Sequence, residues 1–148
     1  MKKFTHRFRV GAPIKAVAAF HSDTRALQKL TPFPMFVQLH EIEPLAENSR
    51  ARFTIWAGPI PLRWEALHTN VTPQGFSDTQ VSGPFKYWKH NHVFEALTPE
   101  SSAVIDEVSA IPGEGIFWGL ATRVMILSLP LLFAYRGWQT RRSLEKRG

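Results

Sequence analysis

Cysteine is absent from all 148 residues, which removes disulfides, thiolate metal sites and cysteine nucleophiles together. A reducing compartment, the cytoplasm, is therefore the expected location, with membrane association as an alternative. The opening MKKFTHRFRV carries charges throughout and lacks the apolar run of a secretory signal. Also missing are a G-x-S-x-G nucleophile elbow and a phosphate-binding P-loop. GEGIFWG fails the dinucleotide-binding spacing and follows no βαβ unit. Asn70-Val71-Thr72 fits a glycosylation acceptor and is read as a chance occurrence. No repeat, low-complexity tract or linker breaks the chain, so residues 1–148 are expected to form one domain.

What is present is globular in composition, 44% hydrophobic and 20% charged. The formal charge of +6 sits at the two ends. Lys2, Lys3, Arg7 and Arg9 open the chain; Arg136, Arg141, Arg142, Lys146 and Arg147 close it against Glu145 alone. The middle is slightly acidic. A nucleic-acid binder should instead line its cations along one face with aromatic platforms between them, so no nucleic-acid partner is expected. Solubility, or attraction to an acidic membrane surface, accounts for charged ends equally well.

Periodicity sets the elements. Phe4, His6, Phe8 and Val10 alternate with Lys3, Thr5, Arg7 and Arg9, as in a half-buried strand. Gly11 ends it, and Pro13 suits the first turn of a helix through about residue 20. A second small helix is expected over about 24–30. Strands are expected near 35–43, 50–57, 62–72, 75–82, 86–96 and 102–111. The breaks AENS, GPIP, TPQG, SGPF and TPES are short enough to favour an antiparallel meander. PGEG then releases a helix over about 116–146.

This order resembles the helix-grip superfamily, which includes START lipid-transfer domains, the birch pollen allergen group and small bacterial polyketide cyclase/dehydrase-like proteins. The resemblance spans the whole chain. It is most specific at Phe76-x-Asp78-x-Gln80-x-x-Gly83-Pro84-Phe85-x-x-Trp88-x-His90-x-His92-x-Phe94, and at FAYRGWQTRRSLE in the tail. It implies an α+β fold in which a strongly bent sheet of about seven strands wraps a long C-terminal helix, with two short helices after the first strand. A cavity between sheet and helix, holding a hydrophobic small molecule such as a lipid, quinone or polyketide-like compound, is the implied site. No cofactor is implied.

Strand register identifies the inward face. Pairing through SGPF sets Asp78 opposite His90, and pairing through TPES sets Asp106 beside His92. Phe76, Asp78, Gln80, Trp88, His90, His92, Phe94, Asp106 and Val108 then share one face, while the other collects Ser77, Thr79, Lys89, Asn91, Glu95 and Glu107. Buried polar groups need partners, and the expected pairs are Asp78 with His90 and Asp106 with His92. These four could be a structural network, polar anchors for a ligand, or the general acid/base groups of a cyclase or dehydratase. His-x-His also occurs in metal-binding cupins, but Glu95 lies on the other face and only His6 and His68 offer a third histidine, neither with a fixed place nearby, so no metal is assigned.

The apolar stretch IFWGLATRVMILSLPLLFAY is 20 residues long with Arg123 as its one charge, which reaches membrane-span length. A central arginine costs roughly 2.5–3.5 kcal/mol on insertion scales. In a helix-grip fold the same stretch should pack on the sheet through Phe117, Leu120, Ala121, Val124, Leu127 and Leu131. Phe117, Leu120 and Val124 would then join the ligand-binding wall. Trp118, Met125, Ile126, Leu129 and Phe133 fall off that stripe, so loops, a partner or a membrane would have to cover them.

Overall fold

A computed structural model describes residues 1–145; Lys146 and Arg147 of the C-terminal cation group lie outside the described residues. The elements run β1 (Lys2–Val10), α1 (Ile14–Ser22), α2 (Ala26–Lys29), β2 (Phe36–Ile42), β3 (Arg50–Ala57), β4 (Ile60–Thr72), β5 (Gly75–Ser82), β6 (Tyr87–Thr98), β7 (Ser101–Ile111) and α3 (Gly115–Leu144). All strand pairs are antiparallel, in the order β1-β7-β6-β5-β4-β3-β2. The meander from β2 to β7 follows from its short turns. The placement of β1 beside β7 closes the other edge with strands distant in sequence.

Alternation decides which side of the sheet is dry. Phe8 and Val10 of β1 are buried, while Arg7 and Arg9 face out. Leu62, Trp64, Ala66 and His68 of β4 are buried, and Ala51 and Phe53 of β3 lie opposite Ala66 and Trp64. Trp88, His90 and Phe94 of β6 face the same way as Val104, Asp106, Val108 and Ala110 of β7. This concave surface carries the main core cluster, which Leu129 and Phe133 of α3 complete.

The phase of α3 differs from the expected one. Gly119, Thr122, Leu129, Phe133, Gly137 and Thr140 are its buried residues. Phe117, Leu120, Val124, Leu127 and Leu131 are exposed instead, by 55%, 66%, 56%, 80% and 79%. A helix apolar on every side has no amphipathic signal from which to choose a face. Close approach chose it: Gly137 sits over Phe8 so tightly that a Cβ would lie 3.3 Å from the ring. Small residues let the helix settle on the sheet with Leu129 and Phe133 between them, and the expected stripe is left outside.

One glycine holds the register beside the future site. Gly75 has φ of +143°, a conformation that L side chains rarely adopt, and a Cβ there would lie 1.9 Å from the His92 carbonyl oxygen. Gly75→Ala is expected to cost about 2 kcal/mol in chemical denaturation. A variant as stable as the wild type would show that β5 and β6 can separate there without penalty.

Candidate functional site

Between the concave sheet, α2 and α3 lies an open-mouthed cavity of about 180 Å³. Phe53 of β3, Trp64 of β4, Phe76 of β5 and Trp88 of β6 form its sheet-side wall, because alternation points them all inward. Leu27 and Leu30 come from α2 and its C-terminal end, and Met125, Leu129 and Leu132 from α3. Trp88 meets Trp64 edge-on at 5.4 Å and leans on Phe85 at 4.9 Å, so it is both core and wall. Against this apolar lining stand His21, His68, Asp78, His90, His92 and Arg136.

The expected strand register is present: Asp78 opposes His90 and His92 opposes Asp106. The hydrogen bonds run diagonally, which corrects the expected pairing. His92 Nε2 donates to Asp78 Oδ2 at 2.7 Å and His90 Nε2 to Asp106 Oδ1 at 2.8 Å. The directly opposite atoms, His90 Nδ1 to Asp78 and His92 Nδ1 to Asp106, are 3.9 and 3.8 Å apart, too far to bond. The two imidazoles stack at 3.8 Å, and Phe76 stacks on His92 at 4.2 Å. Ring stacking along the strand carries each Nε2 past its direct neighbour to the diagonal carboxylate, which long side chains can reach.

Burial and charge compete here. Burial lowers the His92 ring, the His90 ring beside it lowers it further, and Asp78 and Asp106 recover only part, leaving it at about 4. Burial raises Asp78, but the hydrogen bond and charge of His92 outweigh it, with His90 and His68 adding, and hold the carboxyl at about 2. Asp106 is likewise lowered, against its own burial, by His90, His92 and His21. Near neutral pH, His92 is therefore a neutral ring donating to a carboxylate, and its buried Nδ1 has no hydrogen-bond partner. Burial also lowers His21 and, against the pull of Asp106 and Asp78, Arg136.

Several expected site residues lie elsewhere. Gln80 clamps the β5–β6 turn through both the N–H and the carbonyl of Phe85, at 3.1 and 2.7 Å. Asp106 sits behind His90, off the cavity wall; Val108 belongs to the main core and Phe94 to a second cluster with Phe8 and Val104. Leu120 and Val124 face outward, and Phe117 lines a separate surface groove with Ile60 and Trp118. Conversely, the sequence pattern does not single out His21 and Arg136. Arg136 shares the buried phase of α3 with Leu129 and Phe133, at i+7 and i+3, a relation hidden until that phase is known. The Leu62-Trp64-Ala66-His68 alternation is legible in the sequence and marks the β4 wall.

Asp78, His90 and His92 bring ligand-type atoms within 4.8 Å of one another. Both Nε2 atoms are already engaged by the carboxylates, so the ring atoms open to a cation there are the two Nδ1 nitrogens. The arrangement as it stands is one of carboxylate-oriented imidazoles at the wall of an apolar cavity. With Nε2 donating to Asp106, Nδ1 is the His90 nitrogen left able to accept a proton.

No protein-family model matches the chain, and no curated protein matches it. Solved structures do. A protein of Thermus thermophilus is 17% identical, with a TM-score of 0.68 over 96% of this chain and 99% of that one. The Zhui aromatase/cyclase of a Streptomyces species is 16% identical, with a TM-score of 0.69 over 97% and 96%. Norcoclaurine synthase of Thalictrum flavum, solved with dopamine and hydroxybenzaldehyde, is 15% identical, with a TM-score of 0.68 over 99% and 88%. From β1 to the end of α3, the chain has the helix-grip fold that it shares with these solved structures.

Proposed function

We propose that this protein binds a hydrophobic small molecule carrying one polar group, a lipid, quinone or polyketide-like compound, between the sheet and α3. The observation that carries this is a largely apolar cavity on whose wall Asp78, His90 and His92 form one polar cluster. An apolar body would displace water from Phe53, Trp64, Trp88 and Leu129, while the cluster orients its polar end. Norcoclaurine synthase, a solved protein of this fold, holds small aromatic molecules, which supports a small-molecule partner.

Trp88→Phe tests the reading, because it keeps most of the packing while narrowing the wall and removing the indole N–H. The expected result is a melting temperature lowered by a few degrees and affinity for a neutral arylamine fluorescent probe weakened about tenfold. Unchanged probe affinity with a large loss of stability would make Trp88 a core residue and empty the cavity of its role. Native mass spectrometry of the purified protein identifies any co-purified ligand directly.

A second reading is favoured by one specific feature, the Asp106-oriented ring of His90 on the cavity wall. That pair could serve as the general base of a cyclase or dehydratase, and the aromatase/cyclase shares this fold. Turnover of a poly-β-keto thioester that is lost in His90→Gln while probe binding persists would establish it. Binding without turnover in the wild type leaves the protein a carrier.

A further inference from the structure

We propose that the outward face of α3 is a membrane-docking surface for anionic bilayers, which brings the cavity mouth to the lipid. This goes beyond ligand binding in the cavity and rests on a different face of the molecule. Only 22% of the most apolar 18-residue stretch of α3 is buried, so packing on the sheet does not explain its composition. Ile116, Leu120, Leu127 and Leu131 repeat at helical spacing and are exposed by 93%, 66%, 80% and 79%, with Phe117 and Val124 beside them. The stripe runs about 22 Å along the helix at 1.5 Å per residue.

Charge selects the occupant. From Gly115 to Leu144 the helix has no acidic residue, while Arg123 and Arg142 are exposed on it; Arg136 and Arg141 turn to the carbonyls of Leu30 and Arg9 instead. A second copy docked stripe to stripe would meet the exposed cations with cations of its own. An anionic bilayer accommodates both features, with acyl chains against the leucines and phosphates beside the arginines. Arg123 can extend its aliphatic stem and keep its head in the headgroup layer.

The C-terminal part of the helix is built like an interfacial anchor. Trp138 is half exposed, lies 6.0 Å from Tyr135, and has the Arg142 guanidinium 5.3 Å above its ring. The opposite side of α3, from Gly119 to Thr140, is committed to the sheet, which suits a helix lying in the membrane plane. Leu127 and Leu131 share two turns with Ser128, an exposed residue that lines the cavity. Phe33 is 96% exposed in a loop whose flanking Thr31 and Met35 also line the cavity. Tyr135 and Arg136 bond the carbonyls of Lys29 and Leu30, tying the start of that loop to α3. The mouth thus opens among the exposed apolar groups.

Flotation of the full chain with phosphatidylcholine vesicles, with and without phosphatidylglycerol, tests this. The wild type is expected to float with the anionic vesicles and to be partly released by high salt. Leu127→Glu with Leu131→Glu, two exposed positions, should reduce the bound fraction about tenfold, and Arg142→Glu several-fold. Arylamine probe affinity should be unchanged in both variants, which separates this surface from the cavity. A wild type that stays unbound on anionic vesicles overturns the proposal. So does a concentration-dependent dimer in sedimentation that the leucine variant abolishes, because a second copy would then cover the stripe.

Discussion

His90→Leu is expected to destabilise the fold by about 3–5 kcal/mol at neutral pH, measured by chemical denaturation. The substitution keeps an apolar volume against Phe133, which meets the His90 ring edge-on at 5.4 Å. Its cost arises elsewhere, at the Asp106 carboxylate, whose side chain is only 7% exposed and which accepts its hydrogen bond from His90 at 2.8 Å. Deprived of that donor, the carboxylate is a buried charge that must protonate or remain unpaired. The loss should therefore shrink as the pH is lowered and Asp106 takes up a proton. Adding Asp106→Leu removes the stranded charge, and the double variant is expected to recover most of the loss. A double variant as unstable as the single one would show that packing, and not the pair, sets the cost.

Acid should destabilise the protein well above the ordinary carboxylate range. His92 titrates at 6.5 in the unfolded chain but only at about 4 when folded. Between those values the unfolded state binds the proton and the folded state does not, so stability complete above pH 6.5 is lost as the pH falls to about 4. Each tenfold difference in proton affinity between the two states is worth about 1.4 kcal/mol, which brings the loss to roughly 3 kcal/mol. His21 and His68 are lowered in the same direction and steepen it. Asp78, held at about 2 against an ordinary 3.8, adds a further loss only below pH 4. Urea midpoints measured from pH 7.5 to 4 read this out, and His92→Gln should flatten the slope between 6.5 and 4. An unchanged slope in that variant would assign the acid sensitivity to other groups.

The same competition resolves what alternation alone left undecided. On the strand, a neighbouring aspartate could have raised the His92 ring or burial could have lowered it. Burial prevails because Phe76 and His90 stack on both sides of the ring and exclude water. The window in which this ring responds to pH consequently lies below the 6.5 of a solvated histidine.

Much of the architecture was determined locally. Period-two patterns in β1 and β4 to β7, with proline- and glycine-bearing turns between them, set the strands, the Asp78–His90 and His92–Asp106 register and the inward face of Trp88. These are nearest-neighbour properties of the chain, and side-chain parity carries them across short turns. Three matters were decided only in three dimensions. Ring stacking crossed the Asp–His hydrogen bonds onto diagonals that strand register does not specify. The helical face of α3 had no amphipathic signal, and close approach at Gly137 turned Phe133 and Arg136 inward and Leu127 and Leu131 outward. His21 and Arg136 reached the cavity from positions 115 residues apart in sequence, an encounter set by how α1 and α3 pack on one sheet and by no local pattern.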